Sequence, residues 1–210
     1  MKRLILQSYM VVCLCLMLVS SLQAQERPPE NPGAYKKQQT VILKTMRKDM
    51  DKSSDEEDAT LDYVEQMLAY YKAGSALAQN VMDHGDNQII RQVGRSMRKR
   101  NAEEMKKMEE LRIKLKEQKV EDDLKEAEYL VVFKETLETM MEDLQKVEDE
   151  NVDRIFLLQM ICYNEGIIKM AQNILKYTPN VEVQEIAQKI IERHTKEIPY
   201  LQKLAREIRI

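Results

Sequence analysis

Tryptophan is absent from this 210-residue chain, glycine and proline occur five times each, and phenylalanine and histidine only twice. So few breakers, set among abundant Leu, Lys, Glu, Met and Gln, favour helix throughout. The familiar catalytic signatures are missing as well. There is no His-Glu-x-x-His, no Cys-x-x-Cys, no glycine-rich phosphate loop and no Gly-x-Ser-x-Gly, which removes the usual templates for catalysis. No basic cluster marks a nucleic-acid surface: 33 Lys and Arg are interleaved with 36 Asp and Glu for a formal charge of −3.

Cysteine is scarce and unevenly placed. Cys13 and Cys15 lie in an apolar run that follows Lys2 and Arg3, and Leu22-Gln23-Ala24 puts a small residue before Gln25. This is the pattern of a cleaved export signal over residues 1–24. An anchor helix is the alternative, but the run is short for a ~30 Å hydrocarbon core and ends in Ser20-Ser21. A lipid attachment at Cys13 or Cys15 is disfavoured by the bulky Val12 and Leu14 before them. Cleavage predicts a periplasmic or extracellular protein with no membrane span. It also leaves Cys162 as the one remaining cysteine, so no intramolecular disulfide can form. Residues 25–34, with Pro28, Pro29 and Pro32, read as a disordered tether.

What is present is helical periodicity. In residues 153–173 Ile155, Phe156, Met160, Tyr163, Ile167 and Met170 recur at three- and four-residue steps. The same grammar appears in residues 62–80, 93 positions earlier. A gapless alignment of residues 61–111 with 154–204 gives ten identities in 51 pairs, where composition alone gives roughly three or four. They include Gln66/Gln159, Met67/Met160, Tyr70/Tyr163, Asn80/Asn173, Arg100/Arg193 and Glu104/Glu197. Residues 136–144 (TLETMMEDL) echo 42–50 (ILKTMRKDM), so the duplication reaches the leading helix of each half.

The pattern predicts six helices. The first covers 35–51, with Val41, Leu43, Met46 and Met50 as apolar positions. The second covers 59–83 and ends at His84-Gly85, with Gly85 expected in the left-handed conformation. The third runs from Asn87, a candidate N-cap, to 118. The others cover 124–147, 153–177 and 181–209, with Asn180 as the twin cap and Pro199 expected to kink the last. The two copies then span about 41–118 and 124–209 of a domain covering 35–210.

The third and sixth helices carry matched seams. One reads Ile90, Val93, Met97, Asn101, Glu104, Met108, Leu111, and the other Val183, Ile186, Ile190, His194, Glu197, Leu201, Leu204. Both are apolar except at the same two steps. A carboxylate on an apolar stripe is costly unless it is paired or bound to a metal.

The Met-x-x-Tyr segment, a Met-Ala seven residues beyond its tyrosine in the second copy, and the following helix with its seam glutamate resemble the family called domain of unknown function 305. The resemblance covers about 41–204. It implies an exported, all-α, ferritin-like antiparallel helical bundle, here built from a duplicated three-helix unit around a pseudo-twofold axis. Some members of that family bind copper in the periplasm. The family pattern Met-Ile-Pro-His-His-x-Gly-Ala-Ile-x-Met-Ala stands here as Met160-Ile161-Cys162-Tyr163-Asn164-Glu165-Gly166-Ile167-Ile168-Lys169-Met170-Ala171. In the first copy it runs from Met67 to Ala78. The paired histidines are thus Tyr70-Tyr71 and Tyr163-Asn164, and neutral phenol and amide groups are poor copper ligands.

Two readings of the seams follow. In one, copper or another transition metal is held by His194 and Glu197 at i, i+3, with Met160, Met170 and Cys162 from the neighbouring helix. In the other, Tyr70, Tyr71, Glu104, Tyr163, Asn164 and Glu197 form a metal-free polar core. Its tyrosine hydroxyls donate to the glutamates, and Arg100 and Arg193 supply charge. The second reading is preferred because the first copy has no histidine on its seam. The eleven methionines beyond the leader follow helical spacing, as core filler does. A ferritin-like oxidase needs several seam carboxylates with Glu-x-x-His spacing, so a non-enzymatic role without a cofactor is expected. A homo-oligomer or an envelope partner is left open.

Overall fold

A computed structural model of the chain describes residues 30–53, 57–118 and 122–208. The leader, the first five residues of the tether and residues 209–210 lie outside the described part. Among the described residues there are six helices and no strand: α1 (Pro32–Lys52), α2 (Ala59–His84), α3 (Gln88–Glu117), α4 (Asp123–Lys146), α5 (Val152–Ile174) and α6 (Val181–Glu207). None of them is long and apolar enough to cross a membrane.

Every helix starts on an Asn or Asp whose side chain accepts a backbone N–H of the first turn: Asn31, Asp58, Asn87, Asp122, Asn151 and Asn180. Those first-turn amides otherwise have no partner, which is why short acceptor side chains mark helix starts. Asp58/Asn151 and Asn87/Asn180 are twins at the 93-residue offset. Asn180→Ala is expected to cost about 1 kcal/mol in urea unfolding. An unchanged midpoint would mean that the 3.1 Å bond to the Val183 amide carries no stability.

Three details differ from the sequence reading. Helix α1 begins inside the predicted tether, because Pro32 at its first position has a fixed φ and no N–H to satisfy. Gly85 is extended rather than left-handed, with φ −83° and ψ 155°. A side chain there would meet the Asp153 carboxylate and, at 2.7 Å, the Val81 carbonyl; close approach, not handedness, is what glycine permits. Val41 is 55% exposed, and its neighbour Ile42 takes the buried position. Helix α6 runs unbroken through Pro199, whose neighbourhood is exposed at Thr195, Lys196 and Tyr200.

Neighbouring helices run antiparallel. Along α2 the partners on α3 rise as the numbers fall: Gln79 meets Arg98, Tyr71 meets Asn101 and Glu65 meets Arg112. Helices α1 and α4 pack on α2 and α5, and α2 and α5 pack on each other, with Thr60 bonded to Thr178 at 3.0 Å. The result is an all-α bundle of two equivalent three-helix units.

With two phenylalanines and no tryptophan, tyrosine fills the centre. Tyr35, Tyr63, Tyr70, Tyr71, Tyr129 and Tyr163 are all fully buried. A buried phenol brings volume and a hydroxyl that wants a partner. The two copies answer this reciprocally. Tyr35 of the first donates to Gln159 of the second at 3.1 Å, and Tyr129 of the second donates to Gln66 of the first at 2.5 Å. Asn80 and Asn173 then hold the backbone carbonyls of Tyr35 and Tyr129 at 3.0 and 2.9 Å. The twins Tyr70 and Tyr163 stack on one another, ring centroids 4.1 Å apart and 15° from parallel. Equivalent residues touch in this way only at a symmetry axis, so the pseudo-twofold passes between them.

Candidate functional site

The residues singled out in the sequence gather around that axis on α2, α3, α5 and α6. Helical spacing decides which faces meet: the seams of α3 and α6 present Asn101/Glu104 and His194/Glu197 to the Tyr-Tyr and Tyr-Asn pairs of α2 and α5. Two half-sites result. One holds Tyr71, Asn101, Glu104 and Arg193. The other holds Asn164, His194, Glu197 and Arg100.

The charges cross between copies. Arg100 donates to Glu197 at 2.5 Å, and its twin Arg193 donates to Glu104, the twin of Glu197, at 3.3 Å. Lys107 also reaches Glu104 at 3.3 Å. Both carboxylates are partly buried, with side chains 13% exposed at Glu104 and 26% at Glu197. Each glutamate on an apolar seam is thereby answered by an arginine from the other copy, which is what a half-buried charge requires.

The tyrosines do something other than the sequence suggests. Tyr163 donates to the backbone carbonyl of Tyr70 at 2.5 Å, not to a glutamate. The Tyr70 and Tyr71 hydroxyls are buried without a hydrogen bond. Guanidinium groups reach the carboxylates with several donors and full charge, and a single hydroxyl cannot compete with that. Burial, then neighbouring phenols, pushes the Tyr70 and Tyr163 hydroxyls far above their ordinary pKa, with Glu197 adding to the rise at Tyr70. For Tyr71 burial is again the first cause and Glu104 the second. All three phenols therefore stay protonated.

His194 is buried, with its ring edge-on to Tyr70. Its Nδ1 lies 2.9 Å from Asn164 Oδ1 and 3.3 Å from Glu197 Oε2. Both are acceptors, so Nδ1 carries a proton toward them. Nε2 itself is buried without a partner. Asn164 Nδ2 closes the group by donating to Glu197 Oε2 at 3.4 Å.

Burial pushes the Glu197 carboxyl up, but the His194 hydrogen bond and the charges of Arg100, His194 and Arg193 outweigh it and hold the group below its ordinary value of 4.5. A folded-state pKa below the unfolded one stabilises the fold above the unfolded value, and that contribution is lost as pH falls through the folded one. Urea midpoints measured from about pH 5 to about pH 3 should fall more steeply in the natural protein than in Glu197→Gln. Parallel profiles would show that Glu197 feels no such field.

The metal set proposed from the sequence does not assemble as a whole. Met160 lines the same cavity as Asn164 and Glu197. Met170 is buried ten residues further along α5, about 15 Å up the helix axis, too far to share an ion. Cys162 is half-buried, and burial followed by Glu165 and Asp143 pushes its thiol up, away from the thiolate a metal needs. Among the described residues no three His, Cys, Asp or Glu side chains are grouped to hold an ion. The phenols, held neutral, are weak donors. The residues present therefore do not fit the copper site that the resemblance implies.

Sequence reading missed the reciprocal Tyr35–Gln159 and Tyr129–Gln66 bonds. The signal was there, because Tyr35 and Tyr129 stand 94 residues apart, the spacing of the 42–50 and 136–144 echo.

The family model described as "Domain of unknown function (DUF305)" matches residues 60–205. No curated protein and no solved structure matches the chain.

Proposed function

The chain belongs to the family of domain of unknown function 305, and from that premise we propose that it is an exported, non-enzymatic bundle in which a polar core has replaced a histidine metal site. The observation that carries this reading is the crossed pairing Arg100–Glu197 and Arg193–Glu104. Each seam carboxylate, the residue most able to bind a cation, is neutralised by the opposite copy. Tyr70, Tyr71, Tyr163 and Asn164 occupy the histidine positions with neutral groups. The basic start and apolar run of residues 1–24 support export. The absence from the sequence of the His-Glu-x-x-His, Gly-x-Ser-x-Gly and glycine-rich phosphate-loop signatures supports a role in binding or structure.

One observation favours a second reading, a transition-metal site on His194, Glu197 and Met160. His194 Nε2 is buried without a hydrogen-bond partner, and Met160 lines the same cavity as Glu197. Titration with Cu(I) and Zn(II), read by bound metal per protein, separates the two. The polar-core reading expects no stoichiometric binding. One tightly bound equivalent, lost in both His194→Ala and Glu197→Ala, would replace it with the second.

A further inference from the structure

A cavity opens beside the second half-site, between α3, α5 and α6, with a volume of about 540 Å³. That lies within the range of small-molecule sites. Its walls are mostly apolar: Val93, Met97, Met160 and Leu201 line it, Ile89 and Tyr200 extend them outward, and Gln88, Gln92 and Ser96 stand among them. Ile89 is 59% exposed and Tyr200 51% exposed. Its polar end is Arg100, Asn164 and Glu197, with Arg95 on the wall.

The duplication supplies an internal control. At the 93-residue offset the counterpart of this place, beside the first half-site, has Glu182 for Ile89, Gln188 for Arg95, Tyr71 for Asn164 and Lys107 for Tyr200. Tyr71 is fully buried there, and its phenol is bulkier than the Asn164 amide. The side with Asn164 therefore carries a smaller side chain, exposed apolar residues at Ile89 and Tyr200 and a guanidinium at Arg95, where its twin has a buried phenol, Glu182, Lys107 and Gln188. Packing two copies of a bundle requires none of these changes.

The charges select the ligand. Both Glu197 oxygens are engaged, Oε1 by Arg100 and Oε2 by His194 and Asn164. Arg100 gives one of its five donors to Glu197, and Arg95 adds a second guanidinium. A planar, bidentate anion suits such a pair, while the apolar wall suits an unbranched hydrocarbon. We propose that this cavity binds a single-chain amphiphile with a carboxylate head, the head on Arg100 and Arg95 and the chain along Met97, Met160 and Leu201.

Decanoate below its micelle concentration is the probe, with decanol and decyltrimethylammonium as controls and the full chain labelled at its methionine methyls. The expected result is saturable one-to-one binding of decanoate, with shifts at Met97 and Met160 and none at Met50. Arg95→Gln, an exposed position, should weaken binding about tenfold. Asn164→Tyr, which copies the twin's ring into the cavity, should abolish it. Arg95→Gln keeps the proposal testable if Asn164→Tyr fails to fold. No saturable binding, equal binding of all three amphiphiles, or decanoate binding unaffected by Arg95→Gln would overturn the proposal. Each outcome is independent of whether metal binds.

Discussion

Tyr163→Ala lowers the unfolding free energy by about 3–5 kcal/mol, whereas Tyr163→Phe lowers it by about 1 kcal/mol. The ring lies on the pseudo-twofold axis, fully buried and stacked on Tyr70 at 4.1 Å. Removing it opens a cavity that two backbones and a second aromatic ring cannot collapse into. The hydroxyl contributes only the bond to the Tyr70 carbonyl, and removing it leaves no buried charge. Urea unfolding of both variants measures the split. A Phe variant as damaged as the Ala variant would place the stability in the hydroxyl rather than in the packed ring.

Gly74→Val is the second large effect, expected at about 2–3 kcal/mol destabilising. Gly74 lies on α2 facing α3. A Cβ there would meet Asn101 Nδ2 at 2.8 Å, Met97 Cε at 3.0 Å and Tyr163 Cε1 at 3.4 Å. Asn101 is buried and bonded to the Tyr71 carbonyl, so it can yield only by giving up that bond. Tyr163 can yield only by moving at the axis. In an open helix, losing a glycine gains up to about 1 kcal/mol, which makes the sign diagnostic. A stabilised Gly74→Val would mean that α2 and α3 do not approach as closely as described.

The helices and their axis were legible in the sequence because they rest on local and repeated signals. Asn87 and Asn180 marked helix starts, and the seams of α3 and α6 fell on the buried faces expected of them. The gapless 93-residue offset is the same relation that stacks Tyr70 on Tyr163. The site was only half legible. That Glu104 and Glu197 needed partners followed from their apolar neighbours, and Arg100 and Arg193 were the right groups. Which copy each arginine would serve depends on how the two units pack, and no local pattern encodes that. The assignment of the tyrosine hydroxyls to the glutamates failed for the same reason. Met170 was grouped with Met160 through a family motif rather than through distance along a helix. The cavity could not be foreseen, because its lining comes from α3, α5 and α6, which only the packed bundle brings together.

The account rests on two copies that hold each other through equivalent polar contacts. Its most direct test is a pair of double-mutant cycles, Tyr35→Phe with Gln159→Leu and Tyr129→Phe with Gln66→Leu, read by urea unfolding. Both cycles should give favourable coupling of about 0.5–1.5 kcal/mol. Coupling near zero in either pair would contradict the account, because that contact would then not join the halves.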